Sequence, residues 1–339
     1  MPPLTTEICY NARVSQLPLF DEADTPPCVR GVAPSPIHQA LARKLPKNLF
    51  LGCSSWSFPG WEGLVYKGRG TKTELARHGL AVYAAHPLLT SVGIDRTYYA
   101  PLSAAEFADY REAVPEAFRF LVKAHQLCTI AYFKSPTGQS TENPAFLDPS
   151  YARDEVVGPY AEGLKQKAGV LVFQFPPQSI AAMGGRDGFT DKLHVFLEGL
   201  PSGPSYATEI RNPELLTPRY FEALSDRSAS HCFNIHPTMP PLNEQRQLET
   251  SSRGSRGSRG PAVVVRWMLR RDRGYETAKE EFAPFNRLVD EDASSRHQVA
   301  EMIQATPSSK PVFVIANNKA EGSAPLTVFR LAEYLADSQ

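Results

Sequence analysis

The chain has 339 residues, and its 36 lysines and arginines are balanced by 36 aspartates and glutamates. That neutrality argues against the broad basic field that draws a protein to nucleic acid or to an anionic membrane. No apolar stretch approaches the roughly 18 residues that span a bilayer, and the length suits one α/β barrel, which commonly takes about 250 residues.

Residues 1–46 hold eight prolines and no sustained apolar period. Proline removes a backbone donor and fixes φ, so this stretch predicts an extended N-terminal arm rather than a barrel element. It lacks a basic segment followed by an apolar one, so no signal peptide is expected. The cysteines Cys9, Cys28, Cys53, Cys128 and Cys232 have no paired spacing. Their pattern predicts reduced thiols in a cytoplasmic protein, without a disulfide framework or a zinc cluster.

Between residues 47 and 336 the pattern changes to short apolar runs that end on polar side chains. Run 49–53 leads to Ser54 and Ser55, 88–94 to Asp95 and Arg96, and 118–122 to Lys123. Run 170–173 leads to Gln174, 206–208 to Glu209 and Arg211, and 231–233 to Asn234 and His236. Run 263–265 ends at Arg266, and 312–316 at Asn317 and Asn318. Eight buried strands with polar carboxyl ends predict a (β/α)8 TIM-type barrel, whose site is built at the C-terminal face. Helices are expected at 104–114, with Ser103 and Glu106 as a capping box, and at 193–200. Others are expected at 218–224, with Thr217 as cap and Pro218 in the first turn, and at 325–335. A doubly wound sheet would carry a Gly-rich phosphate turn after its first strand. Gly52-Cys53-Ser54-Ser55-Trp56 has none, and no cofactor is expected.

Two segments depart from the strand–helix rhythm. Residues 131–153 read as a long βα loop over the barrel mouth. Residues 237–261 read as an insertion carrying the Ser-Arg-Gly repeat at 252–260. Arginine-glycine tracts can contact RNA, but in a neutral chain the repeat reads first as a flexible loop.

Strand side chains alternate between barrel interior and helix-facing sides. Ala207, Glu209 and Arg211 therefore share one face, as do Lys123 and His125, Asp95 and Thr97, and Val264 and Arg266. Their convergence predicts one pocket containing Asp95, Lys123, Glu209, Arg211 and Arg266, with Gln174 and the amides of Asn317 and Asn318. The alternative is a layer of salt bridges plugging the barrel.

Several motifs resemble the YecE-like family, domain-of-unknown-function family seventy-two. The first runs from Gly52-Cys53-Ser54-Ser55-Trp56-Ser57-Phe58-Pro59-Gly60-Trp61-Glu62-Gly63 to Tyr66. Asp95-Arg96-Thr97-Tyr98-Tyr99-Ala100-Pro101, Phe120-Leu121-Val122-Lys123-Ala124 and Phe173-Gln174-Phe175-Pro176-Pro177 follow in order. Glu209-Ile210-Arg211-Asn212-Pro213, Val265-Arg266 and the stretch from Asn317-Asn318-Lys319 to Ala324-Pro325 complete the series over residues 49–335. The resemblance implies a TIM-type barrel and no settled reaction. It also marks departures: the family pattern has glutamate at Gly93 and asparagine at Asp95. Family histidines are replaced by Ile130, by Asn212 and within Arg266-Trp267-Met268-Leu269.

Lys123, Arg211 and Arg266 offer cations for an oxyanion, the arginine fork suiting phosphate and carboxylate. Glu209 is the expected acid or base, and Asp95 offers a second carboxylate that could serve as base or ligand beside Lys123. Trp56, Trp61, Tyr98 and Tyr99 are expected to form an apolar wall. One reading is thus an enzyme acting on a small phosphorylated or carboxylated, sugar-like substrate. A non-catalytic ligand-binding or scaffold barrel is the alternative. Two further readings are a metal-dependent isomerase or phosphodiesterase using Asp95, Glu209, His125 and His236, and a Schiff-base lyase using Lys123.

Overall fold

Each of the eight apolar runs is a strand in the structure, a computed structural model that describes residues 29–134, 137–253 and 260–338. In chain order they are β1 (Leu49–Cys53), β2 (Ser91–Ile94), β3 (Arg119–Lys123) and β4 (Ala168–Phe175). β5 (Tyr206–Ile210), β6 (Ser230–Ile235), β7 (Val263–Trp267) and β8 (Val312–Ala316) complete the set. All are parallel and pair in sequence order into a closed barrel. β8 returns to β1 in the register Val312↔Leu49 to Ala316↔Cys53.

The period of two does the sorting. Leu121, Val170, Val172, Ala207, Cys232, Val264, Phe313 and Ile315 fill the barrel interior. Their strand neighbours, such as Val122, Leu171, Phe173, Ile210 and Val265, belong to the shell shared with the helices. Strands buried on both faces read as continuous apolar runs, as parallel sheets do. At Gly52 a Cβ would lie 1.9 Å from the Ser91 carbonyl oxygen, so the close approach of β1 to β2 requires glycine.

Helix signals in the sequence hold up where they were local. Ala104–Glu112 starts with a complete Ser103–Glu106 capping box, and Thr217 caps Pro218–Asp226. The helix expected at 193–200 starts earlier, as Gly185–Glu198, and the last one spans Ala324–Asp337. Lys72–Ala84 carries a second capping box, Thr71 with Glu74.

Three segments differ from expectation. Within 1–46, residues 1–28 lie outside the described residues. The remainder is not an extended arm: Arg30–Gly31 pairs with Tyr66–Lys67, and Ser35 caps the helix Pro36–Lys44. Residues 237–261 contain the helix Leu242–Arg253, which belongs to the barrel's outer ring. Its Gln245 side chain accepts from the backbone N–H of Asn234 (3.2 Å) and donates to that residue's carbonyl (2.8 Å), docking the helix on β6. Residues 254–259 of the Ser-Arg-Gly repeat lie outside the described residues. Finally, the long loop 131–153 contains a ladder of Tyr132–Lys134 with Ser140–Glu142 and the short helix Pro149–Ala152. Gln178 ties it to the loop after β4, accepting from Ala131 N–H and donating to the Thr129 carbonyl.

Candidate functional site

The strand ends bring five charged side chains together at the C-terminal end of the barrel. Glu209 on β5 is fully buried. Its Oε2 accepts from Arg266 Nη1 at 2.6 Å, and its Oε1 accepts from Arg211 Nε at 3.0 Å. Arg266, also buried, donates from Nη2 to both Asp95 oxygens at 2.9 and 2.8 Å. Arg211 Nη1 lies 3.3 Å from His236 Nε2. A guanidinium cannot accept, so that imidazole nitrogen does. The result is a chain Asp95–Arg266–Glu209–Arg211–His236 crossing β2, β7, β5 and β6.

Competing forces set the protonation states. Burial raises the Glu209 carboxyl, but Arg266 and Arg211 outweigh it and hold it down at about 2. Burial lowers Arg266, yet Asp95 and Glu209 leave it above its ordinary value. Burial and then Arg211 lower His236 to about 4, so it is neutral at pH 7. The Cys232 thiol, deeper in the barrel, is pushed well up by burial and is inert.

Lys123 stands apart. Among the described residues no carboxylate lies within 4.0 Å of its Nζ, which sits 3.5 Å from the centroid of the Tyr98 ring. Burial lowers its pKa to about 8; Asp95 opposes that shift and Arg266 adds to it. Three cations against two carboxylates leave one positive charge in excess. The Thr97 hydroxyl reaches the carbonyls of Ile94 (2.8 Å) and Lys123 (2.5 Å), fastening the end of β2 to that of β3. Gln174, beside Glu209 in register, is buried, and its Nε2 has no acceptor.

Asp95, Lys123, Glu209, Arg211, Arg266 and Gln174 thus gather as the alternation predicts, and Tyr98, one of the four expected aromatics, lies against Lys123. Other expected site residues do not join them. Trp56 donates to the Ala76 carbonyl (3.3 Å) and packs edge-on against Tyr110, under the helices. Trp61 is buried beside Tyr83 and donates to Asn318 Oδ1 at 3.0 Å. That oxygen also accepts from Ala324 N–H (2.9 Å), so Asn318 holds the first loop and the last helix together. Asn317 donates to Ser54 Oγ (2.9 Å) at the seam of β8 and β1. Tyr99 is 74% exposed, touching Tyr98 by its edge. Asn318→Ala would leave two buried donors unmet, each worth about 1–3 kcal/mol, so we expect a loss of about 2–4 kcal/mol. Urea unfolding checks this; a loss below about 1 kcal/mol would mean the indole finds another acceptor.

The side chains of the metal reading are taken by other partners. Glu209 and Asp95 are engaged by arginines, and His125 Nδ1 bonds the Tyr151 hydroxyl at 2.7 Å. Among the described residues no three His, Cys, Asp or Glu groups are placed to hold a metal ion.

A family profile described as "Protein of unknown function DUF72" matches residues 50–339. The chain belongs to the DUF72 family. A DUF72 family protein of Enterococcus faecalis V583 has a TM-score of 0.56 to it at 20% identity, covering 85% of this chain and 95% of that one. A DUF72 family protein of Thermotoga maritima MSB8 has a TM-score of 0.58 at 17% identity, covering 85% and 98%. At such identities the likeness concerns the fold alone. No curated protein matches the chain significantly. Within this DUF72 barrel, a side chain at Gly93 would meet Ser54 Cα at 3.1 Å and Ile315 Cγ2 at 3.4 Å. Asp95, two residues on, reaches Arg266 instead, so the strand still delivers a carboxylate to the cluster. Sequence reasoning left His236 out of the anion pocket, although alternation on β6 put it on one face with Cys232 and Asn234. No helix among the described residues is long and apolar enough to cross a membrane.

Proposed function

We propose that the barrel mouth binds a small organic anion, phosphorylated or carboxylated, and that Lys123 and Arg211 hold it. The observation that carries this is the Lys123 ammonium: among the described residues it has no carboxylate partner within 4.0 Å, and it lies in a cluster with one positive charge in excess. Arg266 is buried and tied through both Nη atoms to Glu209 and Asp95, so it braces the site and leaves the ligand to Arg211, which keeps 17% of its side chain exposed.

The same reading assigns proton transfer to Lys123. A carboxylate held near 2, with both oxygens taken, is a weak base at pH 7; an amine near 8 exchanges protons there. Glu209 becomes a positioning residue, and the function is that of an enzyme on a sugar-like anion. The test is calorimetric titration with a panel of phosphorylated and carboxylated sugars. Lys123→Met should weaken the binding anion by about tenfold or more, the ratio corresponding to about 1.4 kcal/mol; equal affinity would sink the reading. Lys123→Arg keeps the charge but cannot exchange protons, so retained binding with lost turnover marks an enzyme. Binding without turnover in the native chain marks a ligand-binding barrel.

A further inference from the structure

We infer that Lys123 is an imine-forming amine, and that the ligand of this mouth carries a carbonyl beside its carboxylate, as a 2-oxo acid does. The inference rests on the anion-binding reading and goes beyond it, because it names a covalent step and a substrate class.

A lysine attacks a carbonyl only as the free amine, and a carboxylate at contact distance would lock it as ammonium. Lys123 is the cation of the cluster without such a lock: Arg211 and Arg266 are tied to Glu209, and Arg266 also to Asp95. Its surroundings are half apolar. The Tyr98 ring lies against Nζ at 3.5 Å, and Val172 is its register partner on β4. The charged groups facing it are Asp95 from the end of β2, Glu209 and Arg211 from β5, and Arg266 from β7. His236, after β6, is neutral. Removal from water, and after it proximity to two guanidiniums, favours the neutral amine, which is why the amine titrates near 8. Asp95, Glu209 and the ring face oppose this, the ring by attraction for a cation.

The step balances without a co-reactant. The Nζ lone pair attacks the carbonyl carbon, giving a carbinolamine; the former carbonyl oxygen takes up protons and leaves as water as C=N forms. The protonated imine carries the same single positive charge as the ammonium it replaces, so the Asp95–Arg266–Glu209 network is undisturbed. Arg211 supplies a guanidinium for the ligand's carboxylate. Gln174 Nε2, buried on the inward face two residues beyond Val172 and without an acceptor, offers a donor for the ligand's oxygen.

The experiment uses the full chain with pyruvate and sodium cyanoborohydride, read by intact mass and peptide mapping. We expect one reduced adduct per chain, located at Lys123, with a trapping rate that rises as pH passes about 8 because the neutral amine is the reactant. Lys123→Arg should abolish it while unfolding like the native chain. Arg211→Met should slow pyruvate trapping by about tenfold or more but leave acetaldehyde trapping unchanged. Adducts confined to other lysines, or none, would overturn the inference. Calorimetry with lactate, which keeps the carboxylate and lacks the carbonyl, separates the two ideas. Lactate binding without pyruvate trapping overturns the imine alone. Trapping that is equally fast for pyruvate and acetaldehyde, with no lactate binding, keeps the imine and overturns the anion-binding reading. Failure of both measurements overturns both.

Discussion

Glu209→Leu is expected to be the most destabilising single change at the mouth, at about 3–5 kcal/mol, the cost of breaking a buried ion pair by removing one partner. The carboxylate is fully buried and serves two guanidiniums at 2.6 and 3.0 Å. Without it, Arg266 keeps Asp95, but Arg211 is left with only a neutral imidazole. The paired variant Glu209→Leu with Arg211→Met should cost less than the sum of the single changes, since the second removes the charge that the first strands. Urea midpoints of the four proteins measure this, and additive losses would mean that the pair is not coupled. The same carboxylate contributes a pH signature. Its folded value near 2 lies below the ordinary 4.5, so its stabilisation is present above pH 4.5 and lost as pH falls toward 2. That difference is worth about 3 kcal/mol.

A second large effect is expected at milder acidity, far from the mouth. His86, packed on Phe329, has its Nε2 3.1 Å from His38 Nδ1, while its own Nδ1 accepts from Leu88 N–H at 3.3 Å. Burial, reinforced by His38, lowers it to about 4 from 6.5. In that window the unfolded chain binds the proton and the folded one does not. Stability is therefore full above pH 6.5 and declines as pH falls toward 4, by about 3 kcal/mol for this residue. Glu333 on the last helix favours a charged His38 and only partly offsets that residue's burial. Urea midpoints at pH 7.5 and 5 for the native chain and His86→Gln are the check. The variant should be weaker at pH 7.5 but markedly flatter between the two, with His38, His236 and His125 supplying the residual slope. An unchanged slope would mean that the imidazole pair opens to water before it titrates.

Much of this was legible in the chain because the signals were local. Alternation in Ala207, Glu209 and Arg211 was enough to aim two charges into the barrel, and the eight polar strand ends placed the mouth. The Thr71–Glu74 capping box was equally local and marks a helix that the reading passed over. Helix Leu242–Arg253 was hidden by its polar composition and by the Ser-Arg-Gly repeat that follows it. What sequence could not supply was the pairing. Arg266 meets Asp95 across 171 positions and Glu209 across 57, so nothing nearby reveals that Lys123 is the cation left over. Trp61 and Asn318, 257 positions apart, looked like pocket residues because each follows a strand end. The loop after β1 turns outward, and the two form a rivet between loop and helix.

The seam between β8 and β1 has a consequence for how the chain is made. Val312 N–H donates to the Asn48 carbonyl at 2.8 Å, and Asn48 Nδ2 donates to Lys310 at 2.6 Å. The first strand therefore waits for the last before its outer edge is paired. During synthesis, seven strands emerge as an open sheet with an unpaired apolar edge, the kind of surface that invites association with a second chain. Closure comes only when the segment after residue 310 leaves the ribosome, which makes the birth of this barrel slow and dependent on its final strand.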